Sequence, residues 1–151
     1  MTGTLTGMSA HGTVVARSGD PNWPDAAPSG GSVNFVDIAE LEDITPPPLT
    51  RKAIETTTHN QGDDRFVVGI RRHGDLGMKM NFVPNDGSQD ENTGLLAAWK
   101  DGTRDIYRIT FPDASTWIFS GFVTNFAPAA PVDDKLSASV SIRPTGGHAF
   151  A

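Results

Sequence analysis

Ile106-Tyr107-Arg108-Ile109-Thr110-Phe111, Pro112-Asp113-Ala114-Ser115 and Thr116-Trp117-Ile118-Phe119-Ser120-Gly121-Phe122-Val123-Thr124-Asn125-Phe126 form the stretch that decides the fold. A β-branched and aromatic run meets Pro and Asp at the centre of a type I turn, then returns as a longer run. The returning run is apolar at both parities, so both of its faces call for burial. Pro128 to Pro131 interrupt it, and Val132-Asp133-Asp134-Lys135 turn the chain. Leu136, Ala138, Val140 and Ile142 then alternate with Ser137, Ser139, Ser141 and Arg143, the period of a half-buried strand. Residues 104–143 thus read as a run of strands joined by turns and make the chain mainly β.

Upstream lies one predicted helix. Ser88 and Glu91 have capping-box spacing, Leu95, Ala98 and Trp99 share a face, and Gly102 stands at the left-handed C-cap position. Its expected length is about 13 residues or roughly 20 Å, enough to cover one face of a sheet. Gly94 in its middle is expected to cost about 1 kcal/mol. Before the helix, Leu76, Met78, Met80 and Phe82 alternate with Gly77, Lys79 and Asn81 as a strand, and Arg65 to Arg72 reads as another. Val33 to Leu41 reads as the first strand, stopped by Pro46-Pro47-Pro48. Leu49 to Asp64 is polar and reads as a long mobile loop. The expected organisation is a flexible N-terminal arm over 1–31, a domain over 32–146 and a short tail over 147–151. The arm is rich in turn chemistry, with Trp23 packing either on its own domain or on a neighbouring subunit.

Composition narrows the function. Among 151 residues, 37% are hydrophobic and 16 Gly and 11 Pro are present, so the core is small for the length. The net charge of -6 opposes tight binding to a phosphate backbone. There is no Cys, no membrane-length apolar run and no apolar leader after Met1. His11, His59, His73 and His148 lack metal-ligand spacing, and neither a nucleophile elbow nor a phosphate loop is present. Asp63-Asp64, Asp133-Asp134 and Glu40 with Glu42-Asp43 are carboxylate clusters of a kind that hydrolyses glycosides or holds Ca²⁺, but they read as solvated turn residues, Asp133-Asp134 being ordinary turn chemistry. The expectation is a non-enzymatic protein without cofactors or metals. From pattern alone, the two-faced strand is covered either by a neighbouring copy or within an ordinary sandwich. A monomeric β-sandwich binding glycans or another partner, with Trp23 and Trp117 as an aromatic platform, is the alternative.

Spelling adds to pattern. Phe35-Val36-Asp37-Ile38-Ala39-Glu40-Leu41 precedes Ile44-Thr45-Pro46-Pro47 and Arg51 to Thr58, ahead of an acidic Gly-containing loop. Ser88-Gln89-Asp90 stands before the helix and Gly102-Thr103-Arg104 after it. Most specific are Phe111-Pro112-Asp113-Ala114-Ser115-Thr116-Trp117, Phe119-Ser120-Gly121-Phe122-Val123-Thr124 and Pro131-Val132-Asp133-Asp134-Lys135-Leu136. Over roughly 32–146 this series resembles the major tail tube proteins of long-tailed, non-contractile, lambda-like bacteriophages.

The resemblance implies a tail-tube β-sandwich or barrel with one outer helix. It implies a virion protein, made in the host cytoplasm, whose hexameric rings stack head to tail into a hollow tube for the genome. Its partners would be copies of itself and other tail proteins at the tube ends, with DNA passing without specific binding. A loop reaching the adjacent ring would include Pro48, Leu49, Arg51, Lys52, Thr57, His59, Asp63 and Asp64. Asp37, Glu40, Glu42 and Asp43 are candidates for an acidic lumen lining, the alternative being the outer surface. Trp23, Phe122 and Phe126 are subunit-interface candidates.

Overall fold

The computed structural model describes residues 7–9, 11–18, 35–102 and 104–150. Its elements are β1 (Val14–Ser18), β2 (Val36–Asp37), β3 (Leu41–Thr45), β4 (Leu49–Glu55), β5 (Phe66–His73), β6 (Leu76–Asn81), α1 (Leu95–Asp101), β7 (Asp105–Thr110), β8 (Thr116–Ala129) and β9 (Ser137–Phe150). Seven strands pair antiparallel in the order β2-β1-β7-β8-β9-β6-β3, and β4 and β5 form a separate ribbon.

The Pro112-Asp113 turn is built as its residues dictate. The Ala114 N–H donates to the Phe111 carbonyl at 2.9 Å, and Ala114 then takes a left-handed φ of 70°. Asp113 Oδ1 accepts both the N–H and the hydroxyl of Ser115, at 3.0 and 2.6 Å. These bonds set the register that pairs Thr110 with Thr116 and Tyr107 with Phe119.

β8 and β9 are the long spine, and each serves two neighbours. β7 flanks β8 only over Thr116 to Gly121, whereas β6 flanks β9 only over Ser137 to Ile142. Register shifts at Phe119/Gly121 and Val123/Asn125 bend the pair between these zones. Gly121 belongs at this bend, because a Cβ there would lie 2.7 Å from the Arg143 carbonyl oxygen. The bend turns both halves of the sheet onto one core. Val15, Tyr107, Ile109 and Phe119 from one half join Met78, Met80, Val140 and Ile142 from the other, and Leu95 and Ala98 of α1 complete it. Each buried Val, Leu, Ile, Met or Phe among them contributes about 1.5–3 kcal/mol of burial free energy. The described residues are therefore mainly β with one helix, a folded-over open sheet.

Several boundaries differ from the sequence expectation. The arm assigned to 1–31 contains β1, which pairs with both β2 and β7 and buries Val15 and Ala16. Its Arg17 side chain bonds the buried Asp105 at 2.9 Å. The strand expected over 33–41 is instead two short ones, separated where Glu40 adopts a φ of 61°.

Pro128, expected to interrupt the strand after Phe126, lies inside β8, and Pro144 lies inside β9. Pro128 sits where β8 pairs only with β9, and Pro144 where β9 pairs only with β8, so in each case the strand that carries the proline has no second ladder to break. Within the span expected as a short tail, β9 runs on to Phe150.

The helix is shorter than predicted and starts at Leu95 with Gly94 as N-cap. Asp86 and Asp90 capture local N–H groups, from Ser88 at 2.9 Å and Thr93 at 2.7 Å, favouring turns over helix. The Ser88 hydroxyl and then its N–H hold the Asp86 carboxyl below the usual aspartate range, and the Thr93 N–H first does the same for Asp90. Gly102 does form the left-handed C-cap, with a φ of 64°.

Candidate assembly surface

Residues 49–64, expected as a mobile loop, contain the first strand and much of the tip of a β-hairpin. Ile54 faces Val67 and Glu55 faces Phe66 across the ribbon, with a bulge between Arg51 and Ala53. Beyond the strands, the Thr56 N–H donates to the Arg65 carbonyl at 2.7 Å and the Arg65 N–H to Thr57 Oγ1 at 2.9 Å. Gln61 Oε1 accepts the Thr58 N–H at 3.1 Å, closing the tip. Thus the turn-forming residues extend the ribbon instead of dissolving it.

The root is equally specific. The Gly74 N–H donates to the Pro48 carbonyl at 2.7 Å, and a Cβ on Gly74 would sit 2.3 Å from Pro48 Cγ. Only glycine lets the two ends approach in this way. The root is thereby held beside Leu76, where the chain re-enters the core sheet.

The ribbon's side chains are the main surface anomaly. Val68 and Ile70 are 67% and 69% exposed, and Leu49, Ile54, Phe66 and Val67 are exposed as well. Ahead of the bulge, alternation places Phe66 and Val68 on one face and Val67, opposite Ile54, on the other; the extra residue of β5 between Val68 and Arg71 breaks the alternation before Ile70. A two-stranded ribbon is marginal alone, and contiguous exposed apolar surface marks a contact site.

The lumen candidates occupy the short strands at the sheet edges and the turn between them. Asp37 is in β2, and Glu40 lies in the turn, where its Oε2 accepts Asn81 Nδ2 at 3.0 Å. Glu42 is ion-paired with Lys135 and lies 4.0 Å from Lys79. Asp43 is exposed beside a recess shared with His11, Thr13 and Phe111. Asp37, Glu40 and Asp43 thus have no ion pair among the described residues, whereas Glu42 does.

The interface candidates separate. Phe122 is 37% exposed opposite Arg143, whereas Phe126 packs on the core with its ring edge-on to Phe82 at 5.4 Å. Trp23 lies outside the described residues. Of the loop candidates, Pro48 closes the root, Leu49, Arg51 and Lys52 are in β4, and Thr57, His59, Asp63 and Asp64 are at the tip.

Sequence reasoning overlooked Val68, Ile70, Arg71 and Arg72 as surface residues. The signal was present: an apolar run at both parities followed by two arginines, read only as a strand. Trp117 is 7% exposed inside β8, so it offers no platform for a sugar ring. Among the described residues, no group of three or more His, Asp or Glu is placed to hold a metal, and no helix is long and apolar enough to cross a membrane.

Comparison with known proteins gives these surfaces their setting. A model described as lambda phage tail tube protein matches residues 17–151. The chain belongs to the lambda phage tail tube protein family. A search of curated sequences returns no match. Among solved structures, the tail of an empty gene transfer agent particle with C6 symmetry aligns with a TM-score of 0.71 at 15% identity, covering 96% of this chain and 99% of that one. The sheath/tube terminator of an extracellular contractile injection system, in its extended state, aligns at 0.69 and 11% identity, with 99% of each chain covered. The SPP1 tail tube aligns at 0.64 and 6% identity, covering 91% and 75%. At these identities the likenesses are of fold. The family assigns the chain a structural role in a phage tail tube, and the β4–β5 ribbon carries much of the exposed apolar surface among the described residues.

Proposed function

We propose that six copies of this tail tube chain close into a ring, and that rings stack head to tail into a hollow conduit for the genome. The observation that carries this reading is the β4–β5 ribbon, ordered along its length yet exposing apolar side chains that its own chain leaves uncovered. A neighbouring copy would supply that cover, and a head-to-tail contact that repeats produces a filament. The six-fold symmetry of the gene transfer agent tail, built on the same fold, supports the count.

The lumen reading follows from charge. Asp37, Glu40 and Asp43 are proposed to line the channel and to repel phosphate, so that DNA passes without adhering. Glu42 contributes less, because its charge is balanced by Lys135 and Lys79. Other tail proteins would cap the tube ends, as the terminator and cap structures do in related machines. The protein would be made in the host cytoplasm and end in the virion tail.

Negative-stain microscopy of the purified protein tests the proposal. Hollow tubes or six-fold rings are expected. Replacing residues 49–73 by a two-residue turn, which the Pro48–Gly74 contact permits, is expected to leave the domain folded and stop elongation. A purified chain that stays a compact monomer at high concentration would refute the assembly reading.

A further inference from the structure

The ribbon is divided by charge as well as exposed. Its root half carries Arg51, Lys52, Arg71 and Arg72 without a single acid, while its tip carries Glu55, Asp63 and Asp64 against Arg65. This concentration of cations occurs in a chain whose net charge is -6.

Arg51 lies directly opposite Arg71 in the β4–β5 register. Like charges facing each other across a ladder are destabilising. None of the four root cations is ion-paired with a carboxylate among the described residues. Arg143 flanks the root but is engaged by Asp75 at 3.1 Å.

The root also has receiving shape. A recess of about 450 Å³ lies between it and β9, lined by Thr50, Arg71, Arg72, His73 and Arg143 among others. Arg51, Arg71 and Arg72 line a second recess of about 260 Å³. Positive potential is felt there: burial first, then Arg71 and Arg143, holds His73 below the usual histidine range.

We propose that this basic root receives the acidic tip of the same ribbon from a second copy, with Asp63 and Asp64 of one subunit seated against Arg71 and Arg72 of the next. The inference rests on the stacking reading and adds its chemistry. A chain cannot satisfy this pairing with itself, because the seven residues of β4 span roughly 23 Å between root and tip. Root and tip are different surfaces, so the contact is heterologous and leaves one of each free at every step. Exposed apolar residues between them supply burial, and the charges set direction and register.

The test is charge reversal in the full chain, followed by sedimentation and negative-stain microscopy. Asp63→Arg with Asp64→Arg, and separately Arg71→Asp with Arg72→Asp, are each expected to reduce polymer at least tenfold. All four substitutions in one chain are expected to restore it. Tubes that grow unchanged with either reversal overturn the proposal, as does failure of the fourfold variant to recover. A root reversal that alters retention of duplex DNA but not tube growth would assign the root to nucleic acid instead.

Because the natural chain has no Cys, Asp64→Cys with Arg72→Cys gives a second readout. Oxidised tubes should then yield a ladder of cross-linked multimers under denaturing conditions, and monomer alone would count against the pairing. Should wild-type protein form no tubes at all, the stacking reading falls first. Wild-type tubes that are indifferent to these charges sink only the tip-to-root contact.

Discussion

Trp117 on β8 donates its indole N–H to Nδ1 of His148 on β9 at 2.6 Å. This bond needs a neutral His148 that keeps Nδ1 free to accept. The His73 ring stands edge-on at 3.8 Å, and Phe119 stacks at 5.3 Å on the same imidazole. Burial, followed by the charges of His73 and Arg71, lowers the His148 pKa to about 4.

The pH dependence has a defined sign. An unfolded histidine titrates near about 6.5. Between there and about 4 the unfolded chain binds a proton that native His148 refuses. Its stabilising contribution is therefore complete above about pH 6.5 and declines as pH falls towards 4. Thermal unfolding across this range should show a falling midpoint, and His148→Gln should flatten the slope. Parallel slopes for the two proteins would remove His148 as the cause.

Gly94→Ala separates the observed helix start from the predicted one. Were Gly94 inside a helix, alanine would stabilise by about 1 kcal/mol. In the structure a Cβ there would lie 2.4 Å from the backbone nitrogens of both Gln89 and Asp90. Backbone cannot swing aside as a flexible side chain can, so the substitution should destabilise by about 1–3 kcal/mol. Urea denaturation of the two proteins reads the sign directly.

The contrast at Gly94 shows what the sequence could express. Alternation in Leu76 to Phe82 and in Leu136 to Ile142 reports a one-sided environment, so those strands were legible from their own side chains. The Pro112-Asp113 turn and Gly102 were legible because their backbone chemistry is local. β1 was not, because Val14–Ser18 owes its order to β2 and β7 rather than to its own short apolar run. The ribbon was half legible: β5 announced itself, but polar β4 is a strand only through pairing with it. Its charge division needed the register, which places Arg51 against Arg71 and moves the acids to the far end.

Gln89 is fully buried and ties three segments together. Its Nε2 donates to the Ala39 carbonyl at 2.9 Å and the Asn81 carbonyl at 3.2 Å, while its Oε1 accepts the Val83 N–H at 3.0 Å. Gln89→Leu leaves the Val83 donor and the side-chain bonds of both carbonyls unmet in a buried setting, at about 2–4 kcal/mol. Gln89→Glu should be worse at neutral pH, since a carboxylate would face two carbonyl oxygens. Denaturant midpoints of the three proteins should rank wild type above leucine and leucine above glutamate, with the glutamate deficit shrinking as pH drops below about 5.

Ile70→Asn distinguishes a contact surface from a structural strand. Ile70 is 69% exposed, so the isolated subunit loses little when it becomes polar, and unfolding stability should change by no more than about 0.5 kcal/mol. In an assembled tube the same side chain would be covered by a neighbour, where burying an isoleucine contributes about 1.5–3 kcal/mol. Each 1.4 kcal/mol corresponds to about a tenfold change in association constant, so the concentration required for tube growth should rise roughly tenfold or more. Sedimentation of a dilution series measures that threshold, with circular dichroism confirming the fold. An unchanged threshold would mean that Ile70 remains in solvent within the tube, and burial of the ribbon would then have to come through its other exposed apolar side chains.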